Sequence, residues 1–232
     1  MNTSTKSLIC FSTCFSDMEM VTCPLCARKG NFPAVTGLMD RVFRRCDHCE
    51  LVFVENQFLP GREEEKERYD HHNNSIDDRG YVNFLGQAVS PALPYLSEGM
   101  KGLDYGCGPG PTLSILMERE GMACANYDPL FFPNLPEGPF DFIFATECFE
   151  HFFDPAKELT RLKQLLKPGG LLVVMTNLWE RFEQFSNWHY TNDFTHVSFY
   201  HAKTFQFICN WYGFSLLESD GERVVILKNN ES

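Results

Sequence analysis

The sequence has no uninterrupted apolar run of about 18 residues, the length that a membrane-spanning helix needs. The apolar stretch Leu8-Ile-Cys-Phe11 lies among Ser and Thr residues and is too short for a signal peptide. Basic residues are also few: 20 Lys and Arg stand against 31 Asp and Glu, which gives a formal net charge of -11. A field of that sign repels a phosphate backbone. We therefore expect a cytoplasmic protein without a membrane or nucleic-acid partner.

A chain of 232 residues with 44% hydrophobic content is long enough for one α/β domain and a small additional module. Changes in composition along the chain predict four segments. Residues 1–20 have no hydrophobic period and form a predicted disordered leader, followed by a small ribbon over 21–60. Residues 61–99 form a predicted helical linker or lid, and 100–232 the main domain.

Ten cysteines are distributed unevenly, and four of them form two Cys-x-x-Cys pairs. The pairs are Cys23-Pro-Leu-Cys26 and Cys46-Asp-His-Cys49, with strand-like residues between and after them. In an intracellular chain this spacing favours thiolate ligands of zinc over disulfides. We predict a zinc ribbon that serves as a scaffold or as a wall of the substrate cleft.

From residue 61 onward the chain alternates helical and strand-like patterns. The run Arg62-Glu-Glu-Glu-Lys-Glu-Arg68 is typical of a solvated helix, and Pro91 and Pro94 are expected to break or bend the helical pattern of 77–98. The predicted strands are 102–105, 122–127, 140–145 and 171–176, the predicted helices 112–120, 155–166 and 202–212, and the predicted closing hairpin 214–218 with 223–227. This alternation predicts a doubly wound α/β fold with a mostly parallel sheet.

A glycine-rich turn, Leu103-Asp-Tyr-Gly-Cys-Gly-Pro-Gly110, separates the first of these strands from its helix. Glycine lets backbone amides approach a ligand at the start of a helix. Asp128 ends the next strand about twenty residues later, where a carboxylate can accept both hydroxyls of a ribose. The order Gly-x-Gly-x-Gly disfavours NAD, whose sites favour Gly-x-Gly-x-x-Gly. These residues predict an adenosyl cofactor with an intact ribose diol.

Four motifs in this order resemble those of the class I S-adenosylmethionine-dependent methyltransferases: the glycine-rich turn, Tyr127-Asp128, Phe140-Asp-Phe-Ile143 with Glu150-His151, and Leu166-Lys-Pro-Gly-Gly170. The resemblance covers about residues 100 to 229 and implies a Rossmann-like methyltransferase domain that uses S-adenosylmethionine. The cofactor-binding residues that it implies are Asp104, Gly106, Cys107 and Gly108 for the methionine end, Asp128 and Pro129 for the ribose, Thr146 and Glu147 beside the sulfonium, and Tyr69 and His72, with Asn74, for a lid. An exposed helix end is an alternative explanation of the lid residues.

The sequence departs from the family after Asp128. Only 12 residues separate it from Asp141, too few for the helix, strand and second helix that usually intervene. We therefore predict a short or absent third strand. Because the family's adenine contact follows that strand, Leu130, Phe131 or Phe132 is predicted to stack on the base instead.

Two stretches at the carboxyl ends of predicted strands supply candidate catalytic residues. Glu150-His151 follows strand 140–145, and the second stretch is 188–196, within the insertion that follows strand 171–176. This insertion is similar to an Asp-Pro-Thr-His-Val-x-Phe-Tyr segment in a zinc-ribbon-bearing group of methyltransferases, with Phe194 in place of proline. We predict that His196 is a base or substrate ligand oriented by Asp193, and that His151 is a second candidate base. Alternatively, His151 caps the following helix, and the other histidines only pack. A metal site made from the histidines is disfavoured, because their spacing matches no standard ligand set.

The aromatic residues of 178–200 suit a flat or apolar methyl acceptor. The sequence thus predicts a methyltransferase that acts on a small molecule. Two alternatives are an RNA methyltransferase, for which zinc-ribbon methyltransferases offer a precedent, and a module that binds the cofactor without turnover. The negative charge argues against the first alternative, and the candidate bases argue against the second. The sequence predicts no particular oligomeric state.

Overall fold

The computed structural model describes residues 20–69 and 74–230, without the side chain of Tyr69. The predicted leader therefore lies outside the described residues, except for Met20. Within the described ranges, no helix combines the length and the apolar character that crossing a membrane requires.

The N-terminal module is built from short antiparallel strands. They are β1 (Val21–Thr22), β2 (Lys29–Gly30), β3 (Ala34–Thr36), β4 (Val42–Arg45) and β5 (Val52–Val54). Strand β1 pairs with β2, and β4 lies between β3 and β5. The two Cys-x-x-Cys pairs occupy the turns that directly follow β1 and β4.

Two helices follow, α1 (Arg62–Tyr69) and α2 (Arg79–Ala92). The charged run forms α1, as expected. Asp78 caps α2 by accepting hydrogen bonds from the amides of Gly80 and Tyr81. Pro91 lies in the last turn of α2, so it does not interrupt the helix but lies next to its end at Ala92.

The main domain has a six-stranded sheet in the order β11-β12-β9-β8-β6-β7. Its elements are β6 (Lys101–Tyr105), α3 (Thr112–Arg119), β7 (Ala123–Tyr127), β8 (Phe140–Thr146), α4 (Pro155–Leu165), β9 (Leu166–Met175), β10 (Ser198–Phe199), α5 (Ala202–Tyr212), β11 (Phe214–Ser219) and β12 (Val224–Asn229), of which β10 lies outside this sheet. Strands β7, β6, β8 and β9 are parallel, and β12 and β11 close the sheet as an antiparallel hairpin. The predicted doubly wound, mostly parallel α/β fold is confirmed.

Alternating residues of the central strands enter two cores on opposite faces of the sheet. Phe142 and Val173 pack with α2 and α3, while Ile143 and Val174 pack with α4 and α5. The second core also contains Leu25 and Leu51 of the N-terminal module, so that module packs against the main domain. Burial of both sheet faces explains why these strands are almost entirely apolar.

The connection between β7 and β8 contains neither helix nor strand over residues 129–139, all of which the structure describes. A single antiparallel bridge joins Asp128 and Phe132, and β7 is the edge of the described sheet. The predicted absence of a third strand is therefore confirmed.

Strand β9 begins five residues before the predicted strand at 171, because Lys167-Pro-Gly-Gly170 belongs to the strand and not to a break before it. The pairing register with β8 shifts between Phe140 and Phe142. On β9, this register shift falls between Leu166 and Leu171. Gly169, within that stretch, has a φ of +76°, a conformation that glycine adopts without strain.

The aromatic insertion between β9 and α5 joins the N-terminal module. Within it, β10 pairs with β5 and extends that sheet to four strands. Phe43 and Val54 of the module share a core with Trp179, Phe185 and Phe199 of the insertion. The ribbon and the insertion therefore form one packed unit, which lies beside the carboxyl ends of the parallel strands.

Candidate functional site

A cavity of about 720 Å³ opens at the carboxyl ends of β6, β7 and β8. Eleven residues that the sequence singled out line it together: Asp104, Gly106, Cys107, Gly108, Asp128, Pro129, Thr146, Glu147, His151, Asp193 and His196. The glycine-rich turn lines one side of the cavity. The amides of Gly106 and Cys107 both donate to the carbonyl of Tyr127, which attaches the turn to the end of β7. Apart from Tyr69 and His72, the structure thus brings the predicted cofactor-binding and catalytic residues into one site.

Two glycines of the turn are required by close contacts. Gly106 has φ +81°, and a Cβ there would lie 2.6 Å from the Cβ of Cys148. A Cβ on Gly110 would lie 2.1 Å from the carbonyl oxygen of Asn74. Side chains at these positions would displace backbone, so the turn can keep this shape only with glycine.

Asp104 is the penultimate residue of β6, and its side chain lies inside the protein, with the residue at 2% exposure. Its Oδ1 accepts no hydrogen bond from any described residue. Burial, reinforced by the nearby charge of Asp128, raises the pKa of Asp104 to about 7. A buried carboxylate that lacks a partner is costly, and a cationic ligand group at this place would remove that cost.

Asp128 is held by its own loop. One carboxylate oxygen accepts from the amides of Leu130 and Phe131, at 2.8 and 3.1 Å, and the other accepts from the amide of Gly108 at 3.1 Å. These bonds connect the end of β7 to the glycine-rich turn and fix the carboxylate. The three amides use both lone pairs of Oδ1 and one of Oδ2, so Asp128 can still accept one ligand hydroxyl through Oδ2.

The lid prediction is only partly accessible to observation. The side chain of Tyr69 and the whole of His72 lie outside the described residues. Asn74 lines the cavity beside the glycine-rich turn, and its carbonyl accepts from the hydroxyl of Thr112. Arg62 and Glu65 of α1 also line the cavity, whereas the sequence predicted only a solvated helix at this place.

Of the three residues predicted to contact adenine, the structure places one at the cavity. Leu130 lines the cavity, whereas Phe131 and Phe132 are not among the described residues that line it. Sequence reasoning also missed an apolar wall contributed by α2, formed by Tyr81, Phe84 and Leu85. Helical periodicity predicted these as apolar helix positions, but it could not show which of them would face a ligand.

Two carboxylates lie at the far end of the cavity, after β8. Glu147 adopts φ +49°, and Glu150 is completely buried. Burial and the charge of Glu150 raise the pKa of Glu147 to about 8. The hydroxyl of Thr176 donates to Oε2 of Glu150 at 2.7 Å. Backbone strain in a non-glycine residue at a cavity wall is typical of functional positions.

His151 and His196 meet in this region, with ring centroids 4.8 Å apart. Nδ1 of His196 lies 2.7 Å from the carbonyl oxygen of Tyr190, and Nδ1 of His151 lies 3.0 Å from that of Thr195. Because a carbonyl only accepts, both Nδ1 atoms carry the proton. Burial lowers the pKa of His196, which favours its neutral form.

The structure revises two predicted roles. The Asp193 side chain does not hydrogen-bond the His196 ring; it accepts from Thr195 and pairs with Arg68 at 2.8 Å, while its backbone carbonyl accepts from the His196 amide. Burial alone would raise the pKa of Asp193, but the Thr195 hydrogen bonds hold it at about 2. The alternative capping role of His151 is wrong, because Asp154 caps α4.

One residue of the N-terminal module supports this end of the cavity, and the sequence did not suggest it. Arg41 is 3% exposed, and its guanidinium donates to the carbonyls of Thr191, Asp193 and His196. The segment that carries His196 is thereby attached to the module. Only tertiary structure distinguishes this arginine from its exposed neighbours in sequence.

The four cysteines of the Cys-x-x-Cys pairs converge, with sulfur atoms all within 4.8 Å of one another. The Sγ atoms of Cys23 and Cys49 are 3.5 Å apart, and those of Cys26 and Cys46 are 3.6 Å apart. A tetrahedral ion with bonds of about 2.3 Å places its sulfur ligands about 3.8 Å apart. The cluster therefore has the dimensions of a four-thiolate metal site.

Comparison with known proteins agrees with this architecture. A family model described as "Methyltransferase domain" matches residues 69–219, well over half of the chain. The chain belongs to this methyltransferase domain family.

Individual relatives are more distant. A ubiquinone biosynthesis O-methyltransferase from Caulobacter vibrioides is 33% identical over 105 residues, a match that covers 34% of this chain and 41% of that protein. The chain thus matches about two fifths of the length of this curated relative. The Burkholderia thailandensis 1,6-didemethyltoxoflavin-N1-methyltransferase, solved with bound 1,6-didemethyltoxoflavin and S-adenosylhomocysteine, is similar in fold, with a TM-score of 0.52, 14% identity, and coverage of 85% of this chain and 99% of that one. An O-methyltransferase family protein from the same organism has a TM-score of 0.51 and 15% identity over 72% of this chain and 63% of that one.

Proposed function

We propose that the protein transfers a methyl group from S-adenosylmethionine to a small-molecule acceptor. The observation that carries this proposal is the partnerless carboxylate oxygen of Asp104, buried beside the glycine-rich turn and facing the cavity. An amino-acid ammonium group is the cation that such a carboxylate would hold. The cofactor supplies a methyl group on a positively charged sulfur, which makes it the electrophile.

The chain's own residues then divide the cavity into two ends. Asp104 holds the ammonium group, and Asp128, fixed by three backbone amides, accepts a ribose hydroxyl through Oδ2. Thr146 and Glu147 also line the cavity, at the last position of β8 and directly after it. In-line transfer requires mainly alignment of the acceptor with the methyl group. The acceptor would therefore lie toward Glu150, His151 and His196.

Three features favour a small acceptor. The cavity has the volume typical of small-molecule sites, which is about 300–1,000 Å³. Behind the cavity wall, the ring of Tyr190 in the insertion packs against that of His196, with centroids 4.3 Å apart, and the chain carries a net charge of -11 that repels nucleic acid. This chain matches less than half of the length of the O-methyltransferase relative, so that relative supports the reaction class without identifying the acceptor.

We further propose that Cys23, Cys26, Cys46 and Cys49 hold a structural zinc ion. Their sulfur spacing fits tetrahedral zinc, and the backbone turns at both pairs close in the same way, with Ala27 donating to Cys23 and Glu50 to Cys46. A module this small gains much of its folding energy from a metal.

The cofactor proposal is tested by calorimetry of the full chain with S-adenosylmethionine and S-adenosylhomocysteine. Loss of one buried charge-assisted bond in Asp104→Asn should weaken binding of both by about 10- to 100-fold. Asp77→Asn removes an exposed carboxylate outside the cavity lining and should bind like the parent. Absence of binding to the parent, or equal binding by both variants, would contradict the proposal. A screen of small acceptors for S-adenosylhomocysteine release then tests turnover.

A further inference from the structure

Three side chains at the acceptor end of the cavity come together from two separate segments. Glu150 and His151 directly follow β8, whereas His196 lies in the insertion 45 residues after His151. One potential metal-binding atom from each lies within 4.8 Å of the other two, and all three residues line the cavity. This cluster is separate from the four cysteines.

The two histidines are held in the same way. Each ring uses Nδ1 to donate to a backbone carbonyl, that of Thr195 for His151 and that of Tyr190 for His196. A carbonyl at one ring nitrogen fixes the tautomer and leaves the lone pair on the other nitrogen, as is usual for metal-ligating histidines. The Nε2 atom of His151 accordingly faces Glu150, with 3.9 Å to Oε1.

Glu150 provides the third donor atom. It is 0% exposed, and only Oε2 has a hydrogen-bond partner among the described residues, the hydroxyl of Thr176. Its Oε1 accepts no hydrogen bond from the described part of the chain, although it is buried. A carboxylate oxygen in this condition carries a high desolvation cost that coordination to a cation would remove. Each of the three residues is thus anchored at one atom and directs a second donor atom toward the others.

We propose that Glu150, His151 and His196 bind one divalent transition-metal cation at the acceptor end of the cavity. With metal–ligand bonds of about 2.0–2.2 Å, three ligands of one ion lie about 3–3.7 Å apart. The three donor atoms lie within 4.8 Å of one another, with 3.9 Å between Nε2 of His151 and Oε1 of Glu150, so binding requires the side chains to move inward by about 1 Å or less. Two imidazoles and a carboxylate suit manganese, iron, cobalt or zinc better than calcium or magnesium. Three protein ligands leave positions open toward the cavity.

An open coordination position gives the ion a use in the proposed reaction. An acceptor that carries an oxygen donor could bind the ion directly and be oriented toward the cofactor end. The histidines would then act as ligands and would not take the acceptor proton themselves. This use rests on the proposed methyl transfer, whereas binding of the cation does not.

The test uses the full chain, purified without a histidine tag and loaded with one zinc per chain, which the four thiolates bind in preference to a site with two imidazoles and a carboxylate. Titration with cobalt(II), followed by calorimetry and by metal content after gel filtration, should give one cobalt per chain in addition to zinc. His151→Gln and Glu150→Gln should each weaken cobalt binding at least tenfold. His189→Ala removes an exposed imidazole from the same insertion and should bind cobalt like the parent.

Two results would overturn the proposal. The first is a parent protein that takes up no cobalt beyond its zinc. The second is uptake that persists in His151→Gln with a thiolate charge-transfer band, which would place the ion in the cysteine cluster. Thermal unfolding checks that the variants are folded, and His151→Gln is the milder change, because its side chain is 15% exposed. Parallel titration with S-adenosylhomocysteine separates failure of this site from failure of the cofactor proposal.

Discussion

Replacing Arg41 by alanine is the sharpest test of how the acceptor end is built. The guanidinium is 3% exposed, and it donates to the carbonyl oxygens of Asp193 at 3.1 Å, His196 at 2.5 Å and Thr191 at 3.4 Å. It also lies 5.2 Å from the ring centroid of Phe43. Truncation to alanine would remove the donor from all three carbonyls at once.

The expected cost follows from these contacts. A buried acceptor that loses its partner costs about 1–3 kcal/mol, and the 3.4 Å bond is the weakest of the three. Burial lowers the pKa of Arg41, so desolvation of the guanidinium offsets part of the gain in the parent. We expect a net destabilisation of about 3 kcal/mol, which corresponds to a fall in Tm of about 6–12 °C for a chain of this size.

The assay compares thermal unfolding with cofactor binding. Arg28→Ala is the matched control, because the Arg28 side chain is 51% exposed. The substitution removes an exposed ion pair with Asp47, in which the nitrogen and oxygen atoms are 3.7 Å apart. It should change stability by no more than about 0.5 kcal/mol. Arg41→Ala should keep most of its affinity for S-adenosylhomocysteine but should lose turnover, since the described hydrogen bonds of the guanidinium go to the insertion. If Arg41→Ala melts within about 2 °C of Arg28→Ala, the argument that this arginine attaches the insertion is wrong.

Four further results are expected. Because the pKa of Asp104 is about 7, affinity for S-adenosylmethionine should fall about tenfold per pH unit below 7, and Asp104→Asn should remove this dependence in calorimetry. The raised pKa of Asp104 also means that the parent pays no ionisation penalty below about pH 4 and loses stability as pH rises from there to about 7, because the buried carboxyl group must then ionise. Asp104→Asn avoids this penalty, so denaturant unfolding at pH 8 should find it up to about 4 kcal/mol more stable than the parent. Gly106→Ala forces a Cβ to 2.6 Å from Cys148 at a positive φ, and calorimetry should show loss of cofactor binding. Cys46→Ser should release zinc and lower Tm, and unchanged zinc content by mass spectrometry would refute the ribbon assignment.

The cofactor end could be predicted from sequence because its determinants are local. The glycine-rich turn and Asp104 are adjacent in the chain, and Asp128 ends the very next strand. The 12 residues before Asp141 also sufficed to predict that a third strand is missing, since chain length limits what a connection can contain. Steric and length constraints of this kind act within a short stretch, so they remain visible in the sequence.

The acceptor end could not be predicted in the same way. Sequence spacing argued against a metal site from the histidines, yet folding places His196 beside Glu150 and His151. The carbonyls that orient the two rings belong to backbone whose course depends on the packing of the insertion. Likewise, nothing local distinguishes buried Arg41 from exposed Arg28. These properties arise only from tertiary contacts.

The two ends of the cavity therefore depend on different parts of the chain. The cofactor end is built from the carboxyl ends of β6, β7 and β8, whose core is the main sheet. The acceptor end depends on the insertion, which shares strand pairing between β10 and β5, an aromatic core, and the Arg41 hydrogen bonds with the ribbon. A substitution in the insertion or ribbon can thus reshape the acceptor end without disturbing the residues that hold the cofactor. Because the four cysteines fix the turns of the ribbon, loss of metal there should reduce turnover before it reduces cofactor binding.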